Sequence, residues 1–176
     1  VLAVGLVPLL VAIIYVGSRS SILLEKQAQE YLRAKVDGFA TMVQLRFGSI
    51  EGNLDIIKEQ LKKNLKEDLV KQASRERYFD SGYLTIFTSD GTCIYHPSVE
   101  YRNGTGLYSS DDSIREAVLK KQGFLKHTAD GTQMLSYITY IKEADWILWG
   151  SAPAEEILAH VNALKIQMWI FFIITA

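Results

Sequence analysis

Between two uncharged ends, the first part of the chain carries apolar residues at steps of three or four positions. Steps of this size place the side chains on one face of an α-helix, and this part contains no proline. The pattern predicts one long amphipathic helix over residues 18–78. The members of this apolar stripe are Leu32, Val36, Phe39, Val43, Phe47, Ile50, Leu54, Ile57, Leu61, Leu65 and Leu69.

The middle of the predicted helix contains Gly48, Gly52 and Asn53. Because a glycine costs about 1 kcal/mol relative to alanine inside a helix, a bend or break is expected there. The stripe also predicts a parallel homodimer through the long helix. A coiled-coil spacer would show the same stripe.

After Asp80 the pattern changes to short β-rich runs separated by turn residues. Two hairpins are expected, each closed by an Asp-Gly pair, because this dipeptide readily adopts the positive φ angles of a two-residue turn. A fifth strand follows. The predicted strands are Gly82–Ser89, Thr92–His96, Phe124–Ala129, Thr132–Ile141 and Trp146–Ala152, with turns at Asp90-Gly91 and Asp130-Gly131.

A helix over Ser113–Lys121, capped by Asp111 or Asp112, is predicted between the hairpins, and another begins at Ala154. The order is therefore long helix, two strands, loop and helix, three strands and exit helix. This order predicts an α+β fold with a PAS-like five-stranded antiparallel sheet and a long N-terminal helix. This core would occupy residues 79–157.

The two ends carry the remaining apolar residues. Residues 1–17 and Ile166–Ala176 contain no charged side chain. Neither run reaches the roughly 20 apolar residues that cross a bilayer, but both look truncated, so two transmembrane helices are expected, over residues 1–17 and within 158–176. A signal-peptide core remains an alternative for the first run, and a buried core helix for the second.

The composition of the chain argues against several classes of function. A net charge of -1 and a pI near 6.3 argue against nucleic acid, which needs a basic surface. The single cysteine, Cys93, excludes an internal disulfide, c-type haem attachment and a cysteine zinc cluster. A metal site formed by Cys93, His96 and His127 is not expected, because Cys93 and His96 fall on opposite faces of the predicted strand. No cofactor is predicted, and no catalytic motif occurs.

Several landmarks in this order resemble the Cache domains of bacterial chemoreceptors and sensor kinases. The resemblance covers residues 79–157 and implies an extracytoplasmic, membrane-anchored sensor core that binds a small metabolite, often a short organic acid or amine. Its output module would be methyl-accepting, histidine-kinase or diguanylate-cyclase, and it would lie after residue 176. The landmarks are Asp90-Gly91, His96-Pro97, Gly123-Phe124, Leu135-Ser136-Tyr137, Trp146–Gly150 and Glu155-Glu156.

The first hairpin supplies the predicted ligand-binding face. With a two-residue turn, Phe87 lies opposite Ile94 and Thr85 opposite His96, and cross-strand partners share a face. Thr85, Phe87 and His96 would therefore line a pocket together with Tyr83, since a small-molecule site combines apolar walls with a few polar groups. The opposite face would hold Leu84, Ile86, Cys93 and Tyr95. A structural hydrogen bond is the alternative role for His96.

Four further residues complete the predicted site. Tyr137 lies opposite Phe124 in the second hairpin and would wall the pocket, although the sequence leaves open which face it joins. Arg102 would bind a carboxylate in a bidentate manner, and Tyr101 and Tyr108 would close over the ligand. Arg102 could instead be a solvated loop residue. A ligand-free structural or protein-interaction module is the alternative function.

Overall fold

The computed structural model describes residues 2–50, 55–98, 119–159, 166–167 and 170. Within these ranges the chain is α+β, with a five-stranded antiparallel sheet and a long N-terminal helix, as predicted. Residues 154–159 form the start of the predicted exit helix. The other elements are α1 (Leu2–Gly48), α2 (Asp55–Ala73), β1 (Tyr83–Thr88), β2 (Cys93–Tyr95), β3 (Gln122–Ala129), β4 (Thr132–Ile141) and β5 (Trp146–Pro153).

The long helix predicted over 18–78 is divided into two helices, with the interruption in the region where a bend or break was expected. The first, α1, begins at Leu2 and passes through residue 18 without interruption. It ends at Gly48, where a break was expected, and the Ser49 hydroxyl then donates to the carbonyl of Arg46 at 2.8 Å. The second helix, α2, resumes at Asp55.

Within the described part of the chain, no helix combines the length and the apolar character that a membrane crossing requires. The two transmembrane segments expected from residues 1–17 and 158–176 remain predictions. Most of residues 158–176 lie outside the described residues.

The strand order is β2-β1-β5-β4-β3. The second hairpin has its predicted register, with Phe124 opposite Tyr137. Its turn residues, Asp130 and Gly131, have φ angles of 49° and 78°, and two positive φ angles define the two-residue turn of type I′. The prediction for this hairpin is confirmed.

The first hairpin differs, although its turn also contains Asp-Gly. Only Gly91 has a positive φ, at 92°, and the Thr88 amide bonds to the Thr92 carbonyl at 2.9 Å, which makes a longer loop. A bulge follows, so Phe87 pairs with Cys93, and the predicted pairing of Phe87 with Ile94 is wrong. The Asp90 carboxylate accepts the Thr92 amide at 3.0 Å, which holds the loop in this form.

One side of the sheet, which we call the helix face, packs against α1 and forms the main core. The α1 stripe from Leu32 to Phe47 is buried in this core, so it cannot form the predicted contact with a second chain. At Gly150 the packing is so close that an added Cβ would lie 2.4 Å from the Val36 side chain. The sheet residues of this core include Leu84, Ile86, Leu135, Tyr137, Trp146 and Leu148.

The other side of the sheet, which we call the distal face, carries a second apolar cluster of Phe87, Leu125, Ile138, Ile147 and Trp149. Cys93 packs against this cluster, whereas Ile94 packs against the core on the helix face. Both positions are the reverse of the prediction, because the bulge shifts the alternation of β2 by one residue.

Candidate functional site

The distal face brings together Thr85, Phe87 and His96 from the first hairpin, as the sequence predicts. All three are buried, with exposed fractions of 3%, 1% and 5%, and they line one small cavity with Tyr83. The rings of Tyr83 and His96 meet edge to face at 5.3 Å. Thr85 keeps its predicted place beside His96 because the bulge affects only the pairing nearer the turn.

His96 also has the structural role that was its alternative. Its Nδ1 accepts the backbone N–H of Ser98 at 3.0 Å, which fixes the ring orientation just after β2. In a neutral ring with an accepting Nδ1, the proton resides on Nε2. The sequence did not distinguish a structural role of His96 from a ligand-contacting one. The two roles are compatible, because the bond to Ser98 uses Nδ1 while the ring also lines the cavity.

Strand β5 supplies part of the cavity wall that sequence reasoning missed. Trp149 and Ser151 line the cavity, and each is at least nine-tenths buried. Both face the distal side because residues alternate along β5. The alternating pattern was visible in the sequence, but β5 lies between β1 and β4 only through long-range pairing, which no local pattern reveals.

A chain of polar groups crosses this part of the sheet. The hydroxyl oxygens of Ser136 and Ser151 are 2.8 Å apart, and Ser136 Oγ lies 3.4 Å from His127 Nδ1. The His127 ring meets Trp149 edge to face at 5.3 Å. Ser136 has no exposed surface in this structure.

Trp149 carries a polar atom without a hydrogen-bond partner among the described residues. Its indole Nε1 is buried, and leaving a buried donor unpaired costs about 1 to 3 kcal/mol. The side chain also packs on Phe87, with ring centroids 6.0 Å apart. Hydroxyl and imidazole side chains line the cavity on an aromatic surface, a set that suits a ligand with hydrogen-bonding groups.

The cavity is small in this structure, at about 20 Å³. That volume corresponds to roughly one water molecule. A metabolite could enter only if side chains around the cavity, or nearby backbone of the same chain, moved to enlarge it.

Tyr137 does not join this group, so its predicted place beside Phe87 and His96 is wrong. It belongs to the core on the helix face, because odd-numbered residues of β4 point toward α1. Its hydroxyl donates to Asp37 of α1 at 3.3 Å and accepts the amide of Gln122 at 3.0 Å. Burial raises the pKa of the Tyr137 phenol.

Tyr101, Arg102 and Tyr108 lie outside the described residues. The bulge does place Cys93 on the same face as His96, so the opposite-face argument against a metal site is wrong. Among the residues that are described, no group of three His, Cys, Asp or Glu side chains is arranged to hold a metal ion.

The sequence profile of the Cache 3/Cache 2 fusion domain matches residues 58–167. The match covers more than half of the chain, and the chain therefore belongs to the Cache 3/Cache 2 fusion domain family. This confirms the assignment from the sequence landmarks to the Cache sensor domains. No curated protein sequence matches the chain.

Solved structures share the fold. A methyl-accepting chemotaxis protein from Vibrio parahaemolyticus RIMD 2210633 is 16% identical with a TM-score of 0.60, over 80% of this chain and 98% of that one. A periplasmic sensor domain of a chemotaxis protein is 13% identical with a TM-score of 0.53, over 73% and 94%. These identities show the fold alone.

The chain also matches the extracellular domain of a protein assigned as a histidine kinase. The identity is 24% and the TM-score 0.45, over 53% of this chain. Here the chain spans only 38% of the length of its relative.

Proposed function

We propose that the chain is the extracytoplasmic ligand-binding part of a transmembrane signalling receptor, and that it binds a small metabolite on the distal face. One observation carries the proposal: Thr85, His96 and Ser151 are buried polar groups on an aromatic surface that faces away from the core on α1. Although His96 and Ser151 already bond to Ser98 and Ser136, a cavity that combines aromatic walls with a few placed polar groups is typical of a small-molecule site.

A short organic acid is the ligand class that we favour. The indole donor of Trp149 and the hydroxyls of Thr85 and Ser151 supply hydrogen bonds without a competing carboxylate among the described residues of the cavity. Arg102 would add the cation, and losing a charged hydrogen bond weakens binding by more than about tenfold. Arg102→Ala tests this step, with the exposed Arg75 as the matched control.

Strand β5 gives a direct route for the signal. It carries Trp149 and Ser151 on the distal face and continues at residue 154 into the exit helix. There the Glu156 carboxylate accepts the backbone N–H groups of Asp80 and Ser81, both at 3.2 Å. A ligand that shifts β5 would therefore move the exit helix and the turn before β1 together, and through the exit helix the proposed second membrane segment.

Thermal unfolding of the chain in lipid nanodiscs with a metabolite panel tests ligand binding. A ligand at 100 times its dissociation constant raises stability by about 2.7 kcal/mol. Thr85→Val removes a cavity hydroxyl and should reduce the shift, whereas Thr139→Val, a buried threonine of β4 that alternation places on the helix face, should leave it unchanged. If no metabolite of the panel shifts unfolding, the result contradicts the proposed ligand class and favours the alternative of a ligand-free module.

The side of the membrane on which the chain lies can be tested separately. Lys66 is exposed on α2, so a cysteine there, in a Cys93→Ser background, should react with a membrane-impermeant maleimide on intact spheroplasts. Labelling only after lysis would place this part of the chain in the cytoplasm and contradict the proposal.

We also propose a parallel homodimer through a different stripe of α1. Six exposed positions of α1 repeat at steps of three and four residues, which is the spacing of a coiled-coil seam, and none of them is charged. They lie on the side of α1 opposite its buried stripe. These positions are Gln27, Tyr31, Ala34, Gly38, Thr41 and Leu45; we call them the outer stripe.

A further inference from the structure

A second cavity lies where α1, the β3–β4 hairpin and the exit helix meet, and it shares one lining residue, His127, with the distal-face cavity. Its volume is about 210 Å³, which exceeds the roughly 150 Å³ of an engineered protein cavity that binds benzene. We call it the junction cavity. Its apolar walls include Met134, Leu135, Ile157 and Leu158.

One ion pair lies at this cavity. Lys126 of β3 and Glu25 of α1 both line it, and Lys126 Nζ lies 2.7 Å from Glu25 Oε1. The two side chains are 63% and 34% exposed, and pairs this accessible contribute little to stability, about 0.2 to 1 kcal/mol. A competing anion can therefore replace Glu25 on Lys126 at small cost.

The polar groups around the cavity favour an anion over a cation. Lys126 and His127 bring nitrogen donors, whereas Glu25 is the single carboxylate among the described lining residues. Glu25 is carried by a helix, while Lys126 and His127 belong to the sheet. An incoming carboxylate would meet the fixed donors and displace the carboxylate on α1.

We propose that the junction cavity is a second ligand site, which takes a small monocarboxylate with an apolar body of about five to eight heavy atoms. The body would lie among Leu135, Ile157 and Leu158, and the carboxylate would pair with Lys126. Binding then releases Glu25 and loosens α1 from β3.

The junction cavity lies between the two helices that would carry a signal toward the membrane. Glu25 belongs to α1, and Ile157 and Leu158 belong to the exit helix, which are the elements that lead toward the two ends of the chain. Among the described lining residues of the distal-face cavity, in contrast, none belongs to α1 or to the exit helix. A ligand in the junction cavity would act on the helices without passing through the sheet.

Straight-chain acids from acetate to octanoate are the probes, titrated at pH 7.5 against the 176-residue chain in nanodiscs, with empty nanodiscs as the blank. The signal is the methyl resonance of Met134, which lines the cavity, with Met42 in the core as the internal reference. Affinity should rise about fourfold for each added methylene and then level off when the cavity is full. A missing Met134 response, or a rise without a plateau, overturns the proposal.

Two variants of the ion pair separate ligand binding from a structural role. Lys126→Met keeps the side-chain stem and should weaken hexanoate binding about two- to fivefold, whereas Glu25→Gln removes the competitor and should tighten it by a similar factor. Changes of the same sign in both variants would show a structural pair and refute the site. Unchanged or tighter hexanoate binding in Lys126→Met would exclude Lys126 as the partner of the carboxylate and overturn the proposal.

Thr85→Val distinguishes this site from the distal face. Hexanoate binding should be unchanged in that variant. If Thr85→Val abolishes binding while Lys126→Met does not, the acid occupies the distal-face cavity, and the junction-cavity proposal fails while the proposed function stands.

Discussion

Ser136 and Ser151 lie opposite each other on the neighbouring strands β4 and β5, and their hydroxyl oxygens share a hydrogen bond of 2.8 Å. Both side chains are buried, so removing one hydroxyl leaves the other with fewer partners. Either Ser→Ala variant should lower the free energy of unfolding by about 1 to 2 kcal/mol. The double variant should cost less than the sum of the two, as measured by urea unfolding. Strict additivity would mean that the two serines are not coupled.

The two hairpins show how far a local pattern determines register. Both turns contain Asp-Gly, and the sequence predicted two identical turns. Asp130-Gly131 forms the predicted type I′ turn, but at Asp90 the carboxylate accepts the Thr92 amide and a longer loop results. That alternative uses side-chain hydrogen bonds to the backbone, which a turn dipeptide alone does not encode. The consequence was confined to Phe87, Cys93 and Ile94, and the position of Thr85 was predicted correctly.

The close packing of α1 against β5 at Gly150 can be tested by substitution. An added Cβ would lie 2.4 Å from Val36 Cγ2 and 2.9 Å from the Tyr78 ring. Gly150→Ala should therefore destabilise the chain by about 1 to 3 kcal/mol, the usual cost of overpacking. Because the nearest atom belongs to a side chain, Val36→Ala in the same chain should recover part of the loss.

Gly82→Ala is the comparison, since its Cβ would meet the backbone oxygens of Tyr78 and Ser151 at 2.3 and 2.6 Å. No side-chain truncation can relieve that contact. Chemical unfolding of the variants measures both effects. If Val36→Ala gives Gly150→Ala no relief, the contact between α1 and β5 is not as close as the structure describes.

The phenol of Tyr78 makes stability depend on alkaline pH. Burial raises its pKa, and the charge of Glu76 adds to the shift. An unfolded tyrosine ionises near pH 10, so above about that pH the unfolded state loses this proton while the folded state retains it. Stability should therefore fall as the pH rises above about 10. Tyr78→Phe should remove this part of the loss.

The same variant should not weaken the fold at pH 7. The Tyr78 hydroxyl is buried without a hydrogen-bond partner among the described residues, so Tyr78→Phe should be neutral or stabilise by about 1 kcal/mol. Tyr137 is the matched comparison, because its hydroxyl bonds to Asp37 and Gln122. Tyr137→Phe should cost about 1 kcal/mol. Equal effects of the two variants in urea unfolding would contradict the assigned hydrogen bonding.

The candidate site shows the limit of sequence reasoning more clearly than the fold does. Alternation placed Thr85 and Phe87 on one face, because that rule depends only on neighbouring residues. It could not relate Tyr137 to that face, since the relation runs through β5, which lies between β1 and β4. For the same reason Trp149 and Ser151 were missed. The stripe from Leu32 to Phe47 was recognised as apolar, but an apolar stripe predicts burial without identifying the surface that covers it.

The surface of α1 that meets a second chain in the proposed homodimer must therefore be identified separately. Since the buried stripe of α1 packs against its own sheet, only another face of the helix can meet a second chain. The outer stripe includes Gly38 and Leu45, which are exposed although uncharged, and Tyr31, whose ring also packs against Phe79 of the same chain at 5.0 Å. Charged side chains flank it, among them Glu30 and Lys35, as in the seam of a parallel coiled coil.

Single cysteines in a Cys93→Ser background should therefore crosslink between chains most strongly at Ala34, Gly38 and Thr41 under mild oxidation in membranes. Yields should drop at Glu30 and Lys35, because these positions point away from a two-fold axis that runs through the outer stripe. The resulting period of three to four residues would distinguish a specific seam from random collisions, which crosslink exposed cysteines to similar extents. Equal yields at Gly38 and Lys35 would exclude pairing through the outer stripe, and maximal yields at Lys35 would move the dimer axis to the charged flank.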